Sequence, residues 1–182
     1  MKYLRLTWED IERQCLTLAK KIKERKVPFD LIIGIARGGW VPARLLSDML
    51  NNDEVHSMRV KFYTGIGEVA EKPVILHPTQ IDVTGKKVLL VDDIADTGKS
   101  LSIAKEHLEK RGAGDIFVVT LIKKPHSEIN PDLYVEETDA WVIFPWEVRE
   151  TVRLILKKAK SREEAEKELA QAGLMGEEFL DC

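Results

Sequence analysis

The chain has 182 residues, 44% of them apolar, with a formal net charge of −3 and two cysteines. That length fits one domain with a sizeable core and an appendage, the mixed charge gives no case for nucleic acid as the main partner, and no apolar run approaches the ~20 residues of a membrane span. Residues 1–5 are too short and polar for a signal peptide, and Cys15 and Cys182 can form neither a disulfide framework nor a zinc site, so a cytoplasmic protein is expected.

Thr7 with Asp10 reads as a capping box, after which Ile11, Cys15, Leu18, Ala19 and Ile22 fall on one helical face until Pro28. An apolar strand over 29–35 runs through a turn, Gly34-Ile35-Ala36-Arg37-Gly38-Gly39, into a helix carrying Val41, Leu45, Leu46 and Met49. A further strand is predicted over 55–63. The stretch 64–84, with Gly65, Gly67, Pro73 and Pro78, reads as loop around a short apolar run at Val74, Ile75 and Leu76, and a loop of that size is often a lid. After a central strand from residue 88, the pattern predicts a helix over 97–111, stopped by Gly112-Ala113-Gly114, and a strand over 116–122. Residues 141–146 form a short aromatic segment. Ser161 and Glu164 cap a last helix ending at Gly173, within a Lys- and Glu-rich tract at 157–178 that reads as a solvated face. Alternating strands and helices imply a doubly wound α/β domain with a mainly parallel sheet over 1–150, followed by a helical extension over 151–182.

Chemistry is expected at 92–100. Residues 88–91 are apolar and lead into Asp92, Asp93 and Asp96, then Thr97, Gly98, Lys99 and Ser100 where a helix begins. A buried parallel strand delivers its carboxyl end to a ligand crevice, and the unpaired N–H groups of a helix start receive phosphate. Carboxylates just upstream suit sugar hydroxyls or a magnesium ion, so the order of groups points to a sugar phosphate. Gly98-Lys99-Ser100 copies the end of a Walker A loop, but Asp93 stands where that loop needs its first glycine, which disfavours a nucleotide triphosphatase. His56, His77, His107 and His126 sit at no metal-ligand spacing, and Trp8, Trp40 and Trp146 are assigned to packing.

The segment from Asp92 to Ser100 resembles the diphosphate-sugar loop of the purine phosphoribosyltransferases of xanthine-guanine and hypoxanthine-guanine type. Arg37-Gly38-Gly39 is similar to that family's first loop, Lys124-Pro125 to its purine-reading lysine, and Trp141 with Val142 to the segment that stacks on the base. The likeness covers residues 5–150. Residues 151–182 have no counterpart, and the stretch near residue 73 lacks an arginine that the bacterial xanthine-guanine type uses on diphosphate.

The resemblance implies a type I phosphoribosyltransferase fold with a small hood and a salvage enzyme that joins a 6-oxopurine to phosphoribosyl diphosphate. It also implies roles. Arg37, Gly38, Asp92, Asp93, Asp96, Thr97, Gly98, Lys99 and Ser100 would bind phosphoribosyl diphosphate, and Asp96, Lys124, Trp141 and Val142 would bind the base. Mg²⁺ would arrive with the substrate, touching at most Asp93 or Asp92. Asp96 would take the N7 proton as general base. An ammonium has donors only, so Lys124 complements O6 and opposes the 6-amino group of adenine, although Lys123 is adjacent and either could be the inward one. The first loop is expected to hold an unusual backbone, a non-proline cis peptide between Ala36 and Arg37. Small-molecule substrates and a homo-oligomer are the expected partners, with neither nucleic acid nor membrane. Two alternatives stay open: the same reaction on adenine or a pyrimidine, and a regulatory protein that senses phosphoribosyl diphosphate.

Overall fold

A computed structural model describes residues 2–64 and 71–175 of the chain. In order, the elements are β1 (Tyr3–Arg5), α1 (Trp8–Glu24), β2 (Leu31–Ala36), α2 (Trp40–Leu50), β3 (Val55–Thr64), β4 (Glu71–His77), β5 (Val88–Ala95), α3 (Lys99–Lys110), β6 (Ile116–Lys123), β7 (Leu133–Glu137), β8 (Trp141–Ile143), α4 (Val148–Lys158) and α5 (Arg162–Gln171). They group into two compact units. The larger is Glu12–Thr138; the smaller joins the residues up to Ile11 with those from Asp139 onward.

The larger unit holds a six-stranded sheet in the order β4-β3-β2-β5-β6-β7. All neighbours pair in parallel except the antiparallel β3–β4. Alternation along β2 sets the layers. Leu31, Ile33 and Ile35 share a buried cluster with Leu101, Ala104 and Leu108 of α3, whereas a Cβ on Gly34 would lie 2.7 Å from Ala43 of α2. Successive strand residues point to opposite faces, so α2 and α3 cover opposite sides of the sheet, as a doubly wound α/β fold requires.

The predicted capping box is present at the start of α1: the Asp10 N–H donates to Thr7 Oγ1 at 3.1 Å and the Thr7 N–H to Asp10 Oδ2 at 2.8 Å. The five apolar stripe residues of α1 are all buried, and burial pushes the Cys15 thiol up to about 12, leaving it protonated and unreactive. In the larger unit two strands depart from the sequence reading. The stretch 64–84 contains a full strand, β4, whose register with β3 sets Ile75 opposite Val60 and Pro73 opposite Phe62. Pro73 removes a backbone donor, which argued for loop, but β4 is an edge strand and tolerates it. Residues 65–70 of the expected lid lie outside the described residues. The second correction is β7, which local pattern did not predict. Its start is fastened from β6, where the Val118 N–H donates to Asp132 Oδ2 at 2.7 Å and the Asp132 N–H to the Val118 carbonyl at 2.8 Å.

In the smaller unit β1 pairs in parallel with β8, setting Leu4 opposite Val142. Its core gathers Ile143, Val152, Ile155, Leu169, Ala172 and Leu174. The α5 cap forms as the sequence implies, with the Glu164 N–H donating to Ser161 Oγ at 3.2 Å and Gly173 at φ +69° after the helix. Trp146 stacks on Phe144 with ring centroids 4.9 Å apart. Trp8 and Trp40, assigned to packing from the sequence, are both exposed rather than core, Trp8 at 59%. Trp8 still meets the Trp146 ring, with centroids 5.8 Å apart and the planes tilted by 54°.

Candidate active site

The site follows from strand order. From β2 the chain crosses through α2 to β3 on one side, then returns to β5 on the other side of β2. Between β2 and β5 the winding reverses, and loops leaving the two carboxyl ends separate to form a crevice. Residues 37–39 follow β2 and residues 96–98 follow β5, so both sequence-predicted loops open at this switch point.

The two strand ends meet closely. A Cβ on Gly38 would lie 1.8 Å from Asp93 Oδ2, and one on Gly39 would lie 2.7 Å from both the Asp92 Cα and its Oδ1. Only glycine allows that approach. The Ala36–Arg37 peptide bond is cis, as expected. Arg37 is exposed at the tip of the turn.

Asp92 and Asp93 are both buried. Asp92 Oδ1 accepts the Asp93 N–H at 3.0 Å, and Asp93 Oδ1 accepts the Ile94 N–H at 2.9 Å. Removal from water and, second, the neighbouring Asp93 carboxylate push the Asp92 carboxyl well above the usual carboxylate range. Asp96 and Thr97 are exposed on the loop, and Gly98 stands at φ +84° as the residue before α3. No side chain caps this helix start, although the Lys99 N–H reaches Thr97 Oγ1 at 3.4 Å. The N–H groups of the first turn, with the positive end of the helix dipole, thus follow directly on this loop.

The end of β6 resolves the two lysines. Lys123 Nζ donates to Glu137 Oε2 at 2.6 Å and lies 5.5 Å from the centre of the Tyr134 ring, so its charge is committed to β7. Lys124, the residue after β6, is only 6% exposed. Its backbone N–H donates to the Ala95 carbonyl at 2.9 Å, which fixes it beside the acidic loop. The turn after it is fastened to that loop as well: the Glu128 N–H donates to the Thr97 carbonyl at 3.1 Å, and a Cβ on Gly98 would meet the Ile129 nitrogen at 2.8 Å. His126, given no role by its spacing in the sequence, brings Nε2 to 3.1 Å from Asp96 Oδ1. Its place two residues after Lys124 was the only available signal.

Arg37, Gly38, Asp92, Asp93, Asp96, Thr97, Gly98, Lys99, Ser100 and Lys124 all belong to the larger unit, at the ends of β2, β5 and β6, in the loops that follow them and in the first turn of α3. Trp141 and Val142 belong to the smaller one. Trp141 is 41% exposed, which excludes a purely core role, with Lys158 Nζ 6.0 Å from its ring centre; Val142 is buried in β8.

The phosphoribosyl transferase domain model matches residues 6–152. The chain belongs to the phosphoribosyl transferase family. Among curated relatives, a xanthine-guanine phosphoribosyltransferase from Gluconobacter oxydans is 32% identical over 147 residues, covering 80% of this chain and 84% of its own. Among solved structures, a purine phosphoribosyltransferase from Pyrococcus horikoshii is 44% identical with a TM-score of 0.74, covering 80% of this chain and 95% of its own. A hypothetical protein from Neisseria gonorrhoeae with bound ppGpp is 26% identical with a TM-score of 0.71, covering 94% of this chain and 97% of its own. The type I phosphoribosyltransferase architecture expected from the sequence is the one found, and the pentosyltransferase class comes with the family.

Proposed function

We propose that this phosphoribosyltransferase joins a 6-oxopurine, guanine, hypoxanthine or xanthine, to phosphoribosyl diphosphate, giving a nucleoside monophosphate and diphosphate. The observation that carries the choice of base is Lys124, a buried ammonium held beside the acidic loop by the backbone bond to Ala95. An inward donor with no acceptor lone pair pairs with O6 and leaves the 6-amino group of adenine facing another donor. The relatives named for xanthine and guanine, and the 44% identical purine enzyme, support the same reading.

In this reading Asp96 accepts the N7 proton as N9 bonds to C1′ and the C1′–diphosphate bond breaks. The backbone of Thr97, Gly98, Lys99 and Ser100 cups the 5′-phosphate. Arg37 and the Gly38 main chain hold the departing diphosphate, and Asp92 or Asp93 accepts ribose hydroxyls. Trp141 offers a stacking face to the base and Val142 a main-chain contact. Among the described residues no group of three or more acidic, His or Cys side chains is arranged to hold a metal. Mg²⁺ needs no such group, because it binds through one or two carboxylates and takes its remaining oxygens from substrate and water. Asp93, with Oδ2 turned toward Gly38, fits that part. When bound, the ion would offset charge on the departing diphosphate. So charged a substrate does not cross an apolar membrane unaided, which supports a cytoplasmic site of action. Self-association belongs to the same reading, and sedimentation showing only a 20.7 kDa species would remove it.

Initial rates with guanine, hypoxanthine, xanthine and adenine, each with phosphoribosyl diphosphate and Mg²⁺, test the proposal. Turnover of at least one 6-oxopurine well above adenine is expected. Asp96→Asn should lower kcat by ~10²–10⁴ with the KM for phosphoribosyl diphosphate largely kept. Equal rates with adenine, or full kcat in Asp96→Asn, would refute the respective assignment.

A further inference from the structure

Asp96 stands on an exposed loop, where a carboxylate samples several rotamers in water. A general base works only if its oxygen is held toward the proton it takes. One side chain holds it here: His126 Nε2 lies 3.1 Å from Asp96 Oδ1, with both side chains about three-fifths exposed. An ionised carboxylate only accepts hydrogen bonds, so the imidazole nitrogen facing it carries the hydrogen and donates.

The turn that carries His126 is itself anchored, so the contact is more than two surface side chains meeting. The Ser127 N–H donates to the Lys124 carbonyl and the Glu128 N–H to the Thr97 carbonyl, each at 3.1 Å. On the other side Gly98 approaches Ile129 and Ser127 so closely that a Cβ there would lie 2.8 Å from the Ile129 nitrogen and 3.1 Å from Ser127 Oγ. The backbone that carries the pair is therefore fastened on both sides.

We propose that His126 is a positioning residue for Asp96: its Nε2–H holds Oδ1 and leaves Oδ2 turned to the N7 proton of the purine. The proposal rests on the reading of Asp96 as general base. His126 then acts on the chemical step and not on substrate capture, and it acts only through Asp96.

The test compares wild type, His126→Ala, His126→Gln, Asp96→Asn and the double variant, with kcat and both KM values measured using the preferred 6-oxopurine. Because the pair is exposed and partly screened, His126→Ala should lower kcat by about threefold to tenfold while leaving the KM for phosphoribosyl diphosphate unchanged. His126→Gln, whose amide N–H reaches to the same place, should recover most of that loss. In the Asp96→Asn background the alanine change should cost nothing further. Wild-type kcat in His126→Ala beside a crippled Asp96→Asn would overturn the proposal and leave the general base standing. The same loss in both backgrounds, or no recovery with glutamine, would also overturn it. Full activity in Asp96→Asn would remove the general base and the proposal together.

Discussion

At the scale of single residues, two buried ionisable groups near the crevice, Lys124 and Asp92, give separate tests. Lys124 is buried next to the acidic loop, so Lys124→Met should narrow the preference for a 6-oxopurine over adenine by ~1–3 kcal/mol, read from kcat/KM for the two bases. Unchanged selectivity would mean that O6 is recognised elsewhere. Asp92 is the opposite case. Its folded-state carboxyl titrates above its unfolded value, first through desolvation and then through Asp93. The folded protein therefore holds its proton more tightly. Below the ordinary carboxylate range, about 4, both states are protonated and no cost arises; as pH rises toward the folded value the unfolded state ionises first and stability falls. Asp92→Asn keeps the oxygen that accepts the Asp93 N–H and removes this cost. In metal-free buffer it should melt above wild type at pH 7, with the gap closing toward about pH 4. A lower melting point at pH 7 would show that burial of the Asp92 carboxylate carries no net cost in the folded protein.

At the scale of elements, the two strand-to-helix turns depend on absent side chains. Gly38→Ala would drive a methyl group into Asp93 Oδ2, at a starting distance of 1.8 Å, so either the first loop or the carboxylate must move. Overpacking of this kind costs about 1–3 kcal/mol, and here it also disturbs the surface assigned to diphosphate. The expected result is a raised KM for phosphoribosyl diphosphate with a lowered melting temperature; a wild-type KM would detach Gly38 from that substrate. The elements also separate what local pattern can reveal from what it cannot. The α1 capping box, the Ser161 cap and the α3 stripe of Leu101, Ala104 and Leu108 were legible because each is fixed by residues within a few positions of one another. Strands β4 and β7 were not, since both form through pairing with a neighbour: β4 carries Pro73, and β7 is started by Asp132 contacts with Val118.

At the scale of the whole molecule, the smaller unit owes its core to the carboxy-terminal helices. Ile155 of α4 is buried with Ile143 of β8 and with Leu169 and Leu174. Ile155→Ala should cost about 2–5 kcal/mol, measured by denaturant unfolding. A cost below 1 kcal/mol would mean that this cluster repacks freely. The unit also mixes distant sequence: Tyr3 donates from its hydroxyl to Glu168 Oε1 at 2.5 Å, and the side chain of Arg5 donates to the Gly173 carbonyl. Burial, with Glu168 nearby, pushes the Tyr3 phenol up to about 12, so this bond persists through neutral pH.

The sequence by itself determined the α/β class, the parallel winding and the two loops that open at the switch point, because a run of apolar residues ending in acids and glycine has few physical uses. Its order of Asp92, Asp93, Asp96 and Thr97-Gly98 was enough to name a family. Three things waited for tertiary structure. That Lys123 turns to β7 depends on Glu137 and Tyr134, which lie on that strand. That Trp8, Trp40 and Trp141 are exposed depends on which neighbours cover them, and aromatic content alone does not specify neighbours. The approach of His126 to Asp96 needs β5 and β6 side by side and the turn after β6 bonded back to Thr97. Local spacing carries helix caps and strand alternation; contacts across the sheet are set by the register of strands distant in sequence, and that register exists only once the chain has folded.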